Sequence, residues 1–509
     1  VTDYDYVVVG AGTAGCVLAS RLSEDPAARV LLLEAGAAEP LPEVAIPPAW
    51  PALLTSSMSW GELTVPQLGT GGPVPLPRGR GLGGSSAINA MTFARGHRTS
   101  YDAWVEAGAK GWGFDDLLPY FRRSETAPGR DPQVRGTTGP LTVAPATPVN
   151  PVIAACLEAA AEIGHPRAID VSGGLDEGFG AADQNVVDGR RQSAADAYLT
   201  PEVRRRPNLT IITSALAHKL LIERGRCVGV EYSAAYAQPA PVRCAGEVIL
   251  AAGAIGSAQL LMLSGIGPKQ HLRDVGVDLV LDLPGVGSNF HDHPTGAVAY
   301  SARRTVPQGN SNHADALGLI RTDSALDAPD LQLLFVDVAQ VAEHGGYQGA
   351  PANGFTIRPS VMLPRSRGTV RLAGPEAGTS PNLDPNYLND DYDIRTMVTG
   401  LRLAREIGRA EALNDWRDAE LAPGPDLDDD AELATYLQTT MISYCHPVGT
   451  CKLGTDDLAV VDLDLRVHGI EGLRVADGSV IPSLPSANTN ATVYAIAERA
   501  AELIRSASR

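Results

Sequence analysis

The run Tyr4-Asp5-Tyr6-Val7-Val8-Val9 leads without a break into Gly10-Ala11-Gly12-Thr13-Ala14-Gly15. A helix-compatible stretch follows to Leu22, and a second apolar run, Val30-Leu31-Leu32-Leu33, ends in Glu34-Ala35-Gly36. Strand, G-x-G-x-x-G, helix, strand and acidic residue in this order, with Glu34 standing 24 positions after Gly10, spell a dinucleotide-binding βαβ unit. Gly10 allows the tight turn, Gly12 lets the backbone approach a pyrophosphate, and Gly15 lets helix and strand pack closely. Glu34 is placed to accept hydrogen bonds from a ribose diol. This unit commits the N-terminal region to a Rossmann-like α/β fold.

At 509 residues the chain is far longer than that unit and predicts two or more structural units around a large core. With 44% hydrophobic and 20% charged residues it is compact rather than disordered. A formal charge of −18 repels phosphate backbones and anionic headgroups, so nucleic acid is excluded as an expected partner. No apolar run reaches the roughly 18 residues of a membrane span, and none follows a basic leader, so the expected location is cytoplasmic. The six cysteines (Cys16, Cys156, Cys227, Cys244, Cys445, Cys451) are scattered, unlike a disulfide framework or a zinc site, and are expected mostly as buried thiols.

Gly79-Arg80-Gly81-Leu82-Gly83-Gly84 repeats G-x-G-x-x-G letter by letter. The preceding Pro73-Val74-Pro75-Leu76-Pro77 cannot be a central strand, so this is no second Rossmann fingerprint. Ser85 and Ser86 suit a helix start, and both a structural loop and a phosphate loop remain open readings.

Arg78 to Asn89 resembles the first signature of the glucose-methanol-choline (GMC) family of flavin-dependent oxidoreductases. Gly253-Ala254-Ile255-Gly256-Ser257-Ala258-Gln259 and the residues on to Gly267 resemble the second, and Gly285-Val286-Gly287-Ser288-Asn289-Phe290-His291-Asp292-His293 follows at the expected distance. The likeness runs from Tyr4 to about Ile504. It implies FAD, held by Gly10, Gly12, Thr13, Ala14, Gly15, Glu34, Ala35, Gly81, Gly84, Asn89, Met91, Ala217, Asp477, Gly478, Asn490 and Thr492. In some members a histidine of the first signature is bonded covalently to the flavin. The matching residue here is Ile88, so the FAD is expected to be dissociable.

Two C-terminal stretches carry the chemistry, Ser443-Tyr444-Cys445-His446-Pro447 and Ser486-Ala487-Asn488-Thr489-Asn490. Oxidising an alcohol with a flavin removes the hydroxyl proton and transfers a hydride from carbon. Histidine suits the proton step near neutral pH, and a second polar group must hold the oxygen. By the resemblance His446 is the base and Asn490 the orienting donor, at a position that is histidine in some members and asparagine in others. Asn488 is open between a flavin contact and a helix cap. His291-Asp292-His293 is read as a loop or interdomain element rather than a metal site, since no further ligands stand at zinc-like spacing. Cys445 is read as a small residue beside the pocket rather than half of a redox pair with Cys451.

The cofactor motifs are spread along the chain, so the FAD-binding domain is expected in three parts, 1–150, 205–300 and 460–509. An α+β substrate-binding domain with an antiparallel sheet takes 151–204 and 301–459. Leu331 to Val336, Phe355 to Leu363 and Gly368 to Leu372 read as strands of that sheet, roofing a pocket lined by Trp60, Phe335, Phe355, Tyr444 and Cys445. Asp426 to Glu432 reads as a solvated helix start. The expected activity is oxidation of a primary alcohol, aromatic, furfuryl or similar, to the aldehyde, with oxygen or a quinone as acceptor. Choline is disfavoured because Cys445 supplies no wall for an aromatic cage. The alternatives are a hydroxynitrile lyase of the same fold, a quinone- or dye-linked alcohol dehydrogenase and, for the βαβ unit alone, a nicotinamide enzyme.

Overall fold

The strand Tyr4–Val9 lies between two parallel neighbours, Val30–Leu33 and the C-terminal half of Ala240–Leu250. Leu209–Ile212 pairs beyond Val30–Leu33, and Leu473–Val475 pairs with Val248 to Leu250, giving five parallel strands. The antiparallel hairpin Ala215–Glu223 and Arg226–Ala234 extends from the N-terminal half of Ala240–Leu250. Parallel strands covered on both faces are continuous aliphatic runs, and Val7, Val8, Leu31, Leu32, Val248 and Ile249 are fully buried. The structure is a computed structural model and describes residues 4–67, 70–235, 237–343, 346–348 and 353–507.

A second, antiparallel sheet runs in the order Arg417–Ala422, Val298–Ala302, Gly354–Val361, Leu331–Val336, Ala316–Ile320, Gly178–Ala181. The helix Asp391–Arg409 packs on one face of it through Met397, Leu401, Ala404 and Ile407, a stripe at helical spacing. The chain therefore alternates between a parallel sheet and an antiparallel one, the interleaved α/β and α+β architecture expected from the order of the motifs.

The junctions differ from those expected. Helix Ala194–Tyr198 already belongs to the core of the parallel sheet. Pro294–Thr295 and Val298–Ala302 already belong to the antiparallel sheet, and Val448, Cys451 and Leu453 have returned to the first core. Thr369–Arg371 does not extend the roof. It pairs with Asn382–Asp384, and its Val370 is buried in the first core. Neither composition nor turn residues change at these points, because both units are built from similar aliphatic strands. Asp429 caps helix Asp430–Thr440 by accepting from the Ala431 N–H at 2.8 Å, as the acidic run implied. Among the described residues no helix is long and apolar enough to cross a membrane.

Candidate active site

One cavity is lined by residues of both sheets. On the parallel-sheet side the first glycine loop forms its floor. A Cβ on Gly15 would stand 1.8 Å from the Gly10 carbonyl oxygen, so only glycine lets the helix Thr13–Leu22 start this close to the strand. The second glycine loop docks on the first: the Gly83 N–H donates to the Ala11 carbonyl at 2.8 Å. A Cβ on Gly84, whose φ is +51°, would meet the Gly12 Cα at 2.6 Å. The loop is thus pinned structurally, and its Gly79, Gly84 and Ser85 line the cavity.

Glu34 is buried, and its carboxylate accepts the backbone N–H groups of Ala11 (2.8 Å), Gly36 (2.8 Å) and Gly81 (2.9 Å). Three of about four acceptor sites are thus filled, and one is left for a hydroxyl from the cavity. Burial pushes this carboxyl up, against the three amides that pull it down. Gly81 does not line the cavity; its amide serves Glu34. Asp477 closes the other helix end by accepting from the Gly253 N–H (2.8 Å), Ser257 Oγ (2.5 Å) and the Ser479 N–H (2.8 Å). It fixes the N-terminus of Gly253–Leu263, whose Gly253, Ala254 and Gly256 line the cavity with Gly478.

Asn89 Oδ1 accepts the Met91 N–H (3.0 Å) and Arg191 Nη1 (2.8 Å), which leaves its amide N–H groups for the cavity that it lines. Arg191, buried and pushed down to about 10 by desolvation, carried no sequence signal. Ala35, Thr13, Ala14, Met91 and Ala217 also line the cavity. Thr492 does not: its Oγ1 bonds the Tyr101 hydroxyl at 2.8 Å inside the core, because it lies on the opposite side of its helix from Asn490 and Val493. The N-termini of the helices Thr13–Leu22 and Gly253–Leu263, with the glycine-rich backbone beside them, line the cavity as an anion cradle. The residues fit the diphosphate of a flavin dinucleotide.

At the antiparallel-sheet side stands His446, buried, with its Nδ1 2.9 Å from His293 Nδ1 and its Nε2 3.2 Å from Asn488 Nδ2. Asn490 does not touch it. Asn490 lines the same cavity, but its Oδ1 accepts from Thr13 Oγ1 at 2.9 Å, which ties the start of the last helix to the start of the first. Asn488 precedes the helix and Asn490 opens it, so the two point to different neighbours. The asparagine on the histidine is Asn488, which also lines the cavity, and its bond to His446 is neither of the two roles read for it from the sequence. Desolvation, with His293 alongside, holds His446 well below the usual histidine range.

Asp292 organises this corner. One carboxylate oxygen accepts the backbone N–H groups of His293 (2.9 Å) and His446 (2.6 Å), and the other accepts the hydroxyls of Tyr387 and Ser443. His291 bonds the Asn289 carbonyl through Nδ1 (2.6 Å) and accepts the Leu484 N–H at Nε2 (3.2 Å), joining two distant segments. Among the described residues no group of three His, Cys, Asp or Glu side chains could hold a metal. The sequence drew attention to the His-Asp-His triplet without showing that Asp292 and His293 stand against His446.

Tyr444 and Cys445 line the cavity, Tyr444 with its ring centroid 4.5 Å from that of His446. Trp60 lines it too, beside Arg78, whose guanidinium lies 4.5 Å from the indole centroid. Phe335 and Phe355 do not reach it. The pleat turns Leu334, Val336 and Arg358 to the cavity, while Phe335 stacks on Phe179 and Phe355 on Tyr300 in the core on the other face. Both faces are buried, so a continuous apolar run does not reveal which parity faces inward. Burial and the nearby Asp292 push the Cys445 thiol up to about 12, and it forms no disulfide with Cys451, which lies in the first core. Ile88 lies in an apolar cluster with Val44, Leu53 and Met58 and offers no group for a covalent bond.

Two family models, both described as GMC oxidoreductase, match residues 4–295 and 364–497. Curated relatives include an oxygen-dependent choline dehydrogenase from Rhizobium rhizogenes, 38% identical over 98% of this chain and 95% of its own length. Among solved structures, pyridoxine 4-oxidase from Mesorbium loti superposes with a TM-score of 0.94 at 38% identity, covering 98% of this chain and 99% of that one. A fungal aryl-alcohol oxidase does so with a TM-score of 0.87 at 25% identity, covering 99% of each chain.

Proposed function

The chain belongs to the GMC oxidoreductase family, FAD-dependent enzymes that oxidise CH–OH donors, and from that membership we propose that it converts a primary alcohol, aromatic, furfuryl or similar, to the aldehyde. FAD, when bound in the amide cradle, supplies the hydride acceptor. The observation that carries the reading is a buried, neutral His446 facing the cavity with the Asn488 amide on its Nε2. An alcohol hydroxyl that displaces this bond donates to the imidazole Nε2 and accepts from the amide. The imidazole takes the proton, and the amide N–H stabilises the oxygen as negative charge develops on it.

The choice of alcohol rests on the walls. Leu334, Val336, Trp50, Trp60 and Tyr444 offer apolar and aromatic surface to a ring. Curated relatives are named for choline, but the polar wall near His446 is built differently from a cation site: Arg358 lines the cavity with its Nη1 donating to Gln340 Oε1 at 2.7 Å. The carboxylates among its described lining, Glu34, Glu62 and Asp477, are engaged with backbone amides, Arg78 and a helix end. A trimethylammonium group needs an aromatic cage, and Cys445 beside His446 supplies no aromatic wall for one. Mixed anaerobically with benzyl, furfuryl and pyridoxine-type alcohols and with choline, the holoenzyme is expected to lose its oxidised flavin absorbance with a ring alcohol and to keep it with choline. Bleaching by choline alone would overturn the assignment, and no bleaching by any alcohol would favour the lyase.

We take oxygen as the acceptor, in keeping with the names of the relatives, so aerobic turnover is expected to release peroxide in step with aldehyde. Since Ile88 offers no nucleophile, acid precipitation is expected to free the flavin into the supernatant; colour retained in the pellet would show a linkage elsewhere. The small Cys445 leaves space beside His446. Cys445→Trp is expected to shift kcat/KM by about tenfold toward smaller alcohols, and an unchanged preference across a size series would remove Cys445 from the substrate wall.

A further inference from the structure

His293 is a buried imidazole that alcohol oxidation does not itself require, and its two ring nitrogens are both engaged. Its Nε2 lies 3.1 Å from the Met362 carbonyl oxygen and its Nδ1 lies 2.9 Å from His446 Nδ1. A carbonyl only accepts, so the His293 proton sits on Nε2. Burial pushes this ring down to about 3, so it carries one proton at working pH and its Nδ1 is left as an acceptor. The group facing that acceptor is His446 Nδ1, which must therefore be the protonated nitrogen of His446.

We propose that His293 is a positioning residue that holds His446 in its Nδ1–H tautomer, so that the Nε2 beside Asn488 is kept as an unprotonated base. The Met362 carbonyl, just past the strand Gly354–Val361, thus fixes one tautomer, and that ring fixes the next. Asp292 sets the distance by holding the backbone of both histidines on one carboxylate oxygen. In a lone neutral imidazole either nitrogen can carry the proton, and the form protonated at Nε2 cannot accept the alcohol proton there. The kinetic side of this inference rests on His446 as the base; the tautomer itself does not.

Nitrogen-15 spectra of histidine-labelled holoenzyme, with the His446 signals assigned against His446→Ala, read the tautomer directly. The wild type is expected to show His446 with protonated Nδ1 and an unprotonated, pyridine-type Nε2; the opposite pattern overturns the proposal. In His293→Leu the acceptor is gone, and the Nε2-protonated form should appear. The flavin reduction rate at saturating alcohol should then fall at least about tenfold, with the dissociation constant of the alcohol nearly unchanged, as for other bases held in the wrong tautomer. In His293→Asn a carbonyl stands near the place of Nδ1, and both the spectrum and the rate should recover. A His446 spectrum in the Leu variant identical to wild type would refute the proposal while leaving the base assignment intact. Normal reduction in His446→Ala would remove the base assignment and leave the tautomer standing, and the wild-type spectrum decides even where the Leu variant does not fold.

Discussion

His446→Ala is expected to yield a yellow protein that keeps its FAD yet is reduced by alcohol about a hundred- to ten-thousand-fold more slowly, the range over which a positioned general base acts. The flavin should stay because the cradle is made by the glycine loops, Glu34, Asn89 and the helix ends, none of which bonds the imidazole. Rapid-mixing absorbance under anaerobic conditions separates the two effects; reduction within a fewfold of wild type would exclude His446 as the base. The pH profile gives a second reading. Burial lowers the proton affinity of His446, so the ring remains unprotonated to a pH below the ordinary histidine value of 6.5. The wild-type reduction rate should therefore stay flat as pH falls through 6.5 and decline only below it. A decline centred at or above 6.5 would contradict the buried, desolvated ring.

Asp292→Ala is expected to destabilise the protein by about 4 kcal/mol, because it strands four buried donors at once. These are the backbone N–H groups of His293 and His446 and the hydroxyls of Tyr387 and Ser443. Loss of soluble flavoprotein, or a marked fall in the denaturant midpoint, is the measurement. Asp292→Asn distinguishes hydrogen bonding from charge. Its carbonyl can accept the two backbone groups, and its amide can donate to the two hydroxyls, which accept as readily as they donate. The Asn variant should therefore stay within about 1 kcal/mol of wild type. Equal damage in both variants would mean that the carboxylate charge, rather than the bonding pattern, holds this corner together.

The parts of the site that were legible in the sequence are those governed by local geometry. Gly10, Gly12 and Gly15 mark a strand, a turn and a helix start within a dozen residues, and the backbone can build that turn in few ways. Glu34 follows from the length of one βαβ unit. The parts that were not legible depend on residues far apart in the chain. Phe335 and Phe355 were expected in the pocket as large aromatics on strands, yet the pleat buries them on the far face. Thr492 is two positions from Asn490, and on a helix that is enough to turn it toward Tyr101. The choice between Asn488 and Asn490 hinges on where the last helix begins relative to Thr13, more than 470 residues earlier.

By itself the sequence determined a dinucleotide-binding unit at the N-terminus and, through the resemblance of its ordered motifs to the GMC family, an interleaved two-sheet architecture with His446 as the candidate base. Each of these is written in short-range spacing or in motif order. Only the tertiary structure decided which asparagine meets that histidine, which strand parity faces the cavity, and that Asp292 and His293 stand behind His446. Hydrogen bonds between segments 42 to 154 residues apart fix those contacts. A bond of that kind leaves no periodicity in the chain, since its partners become neighbours only when the two sheets close over the cofactor site.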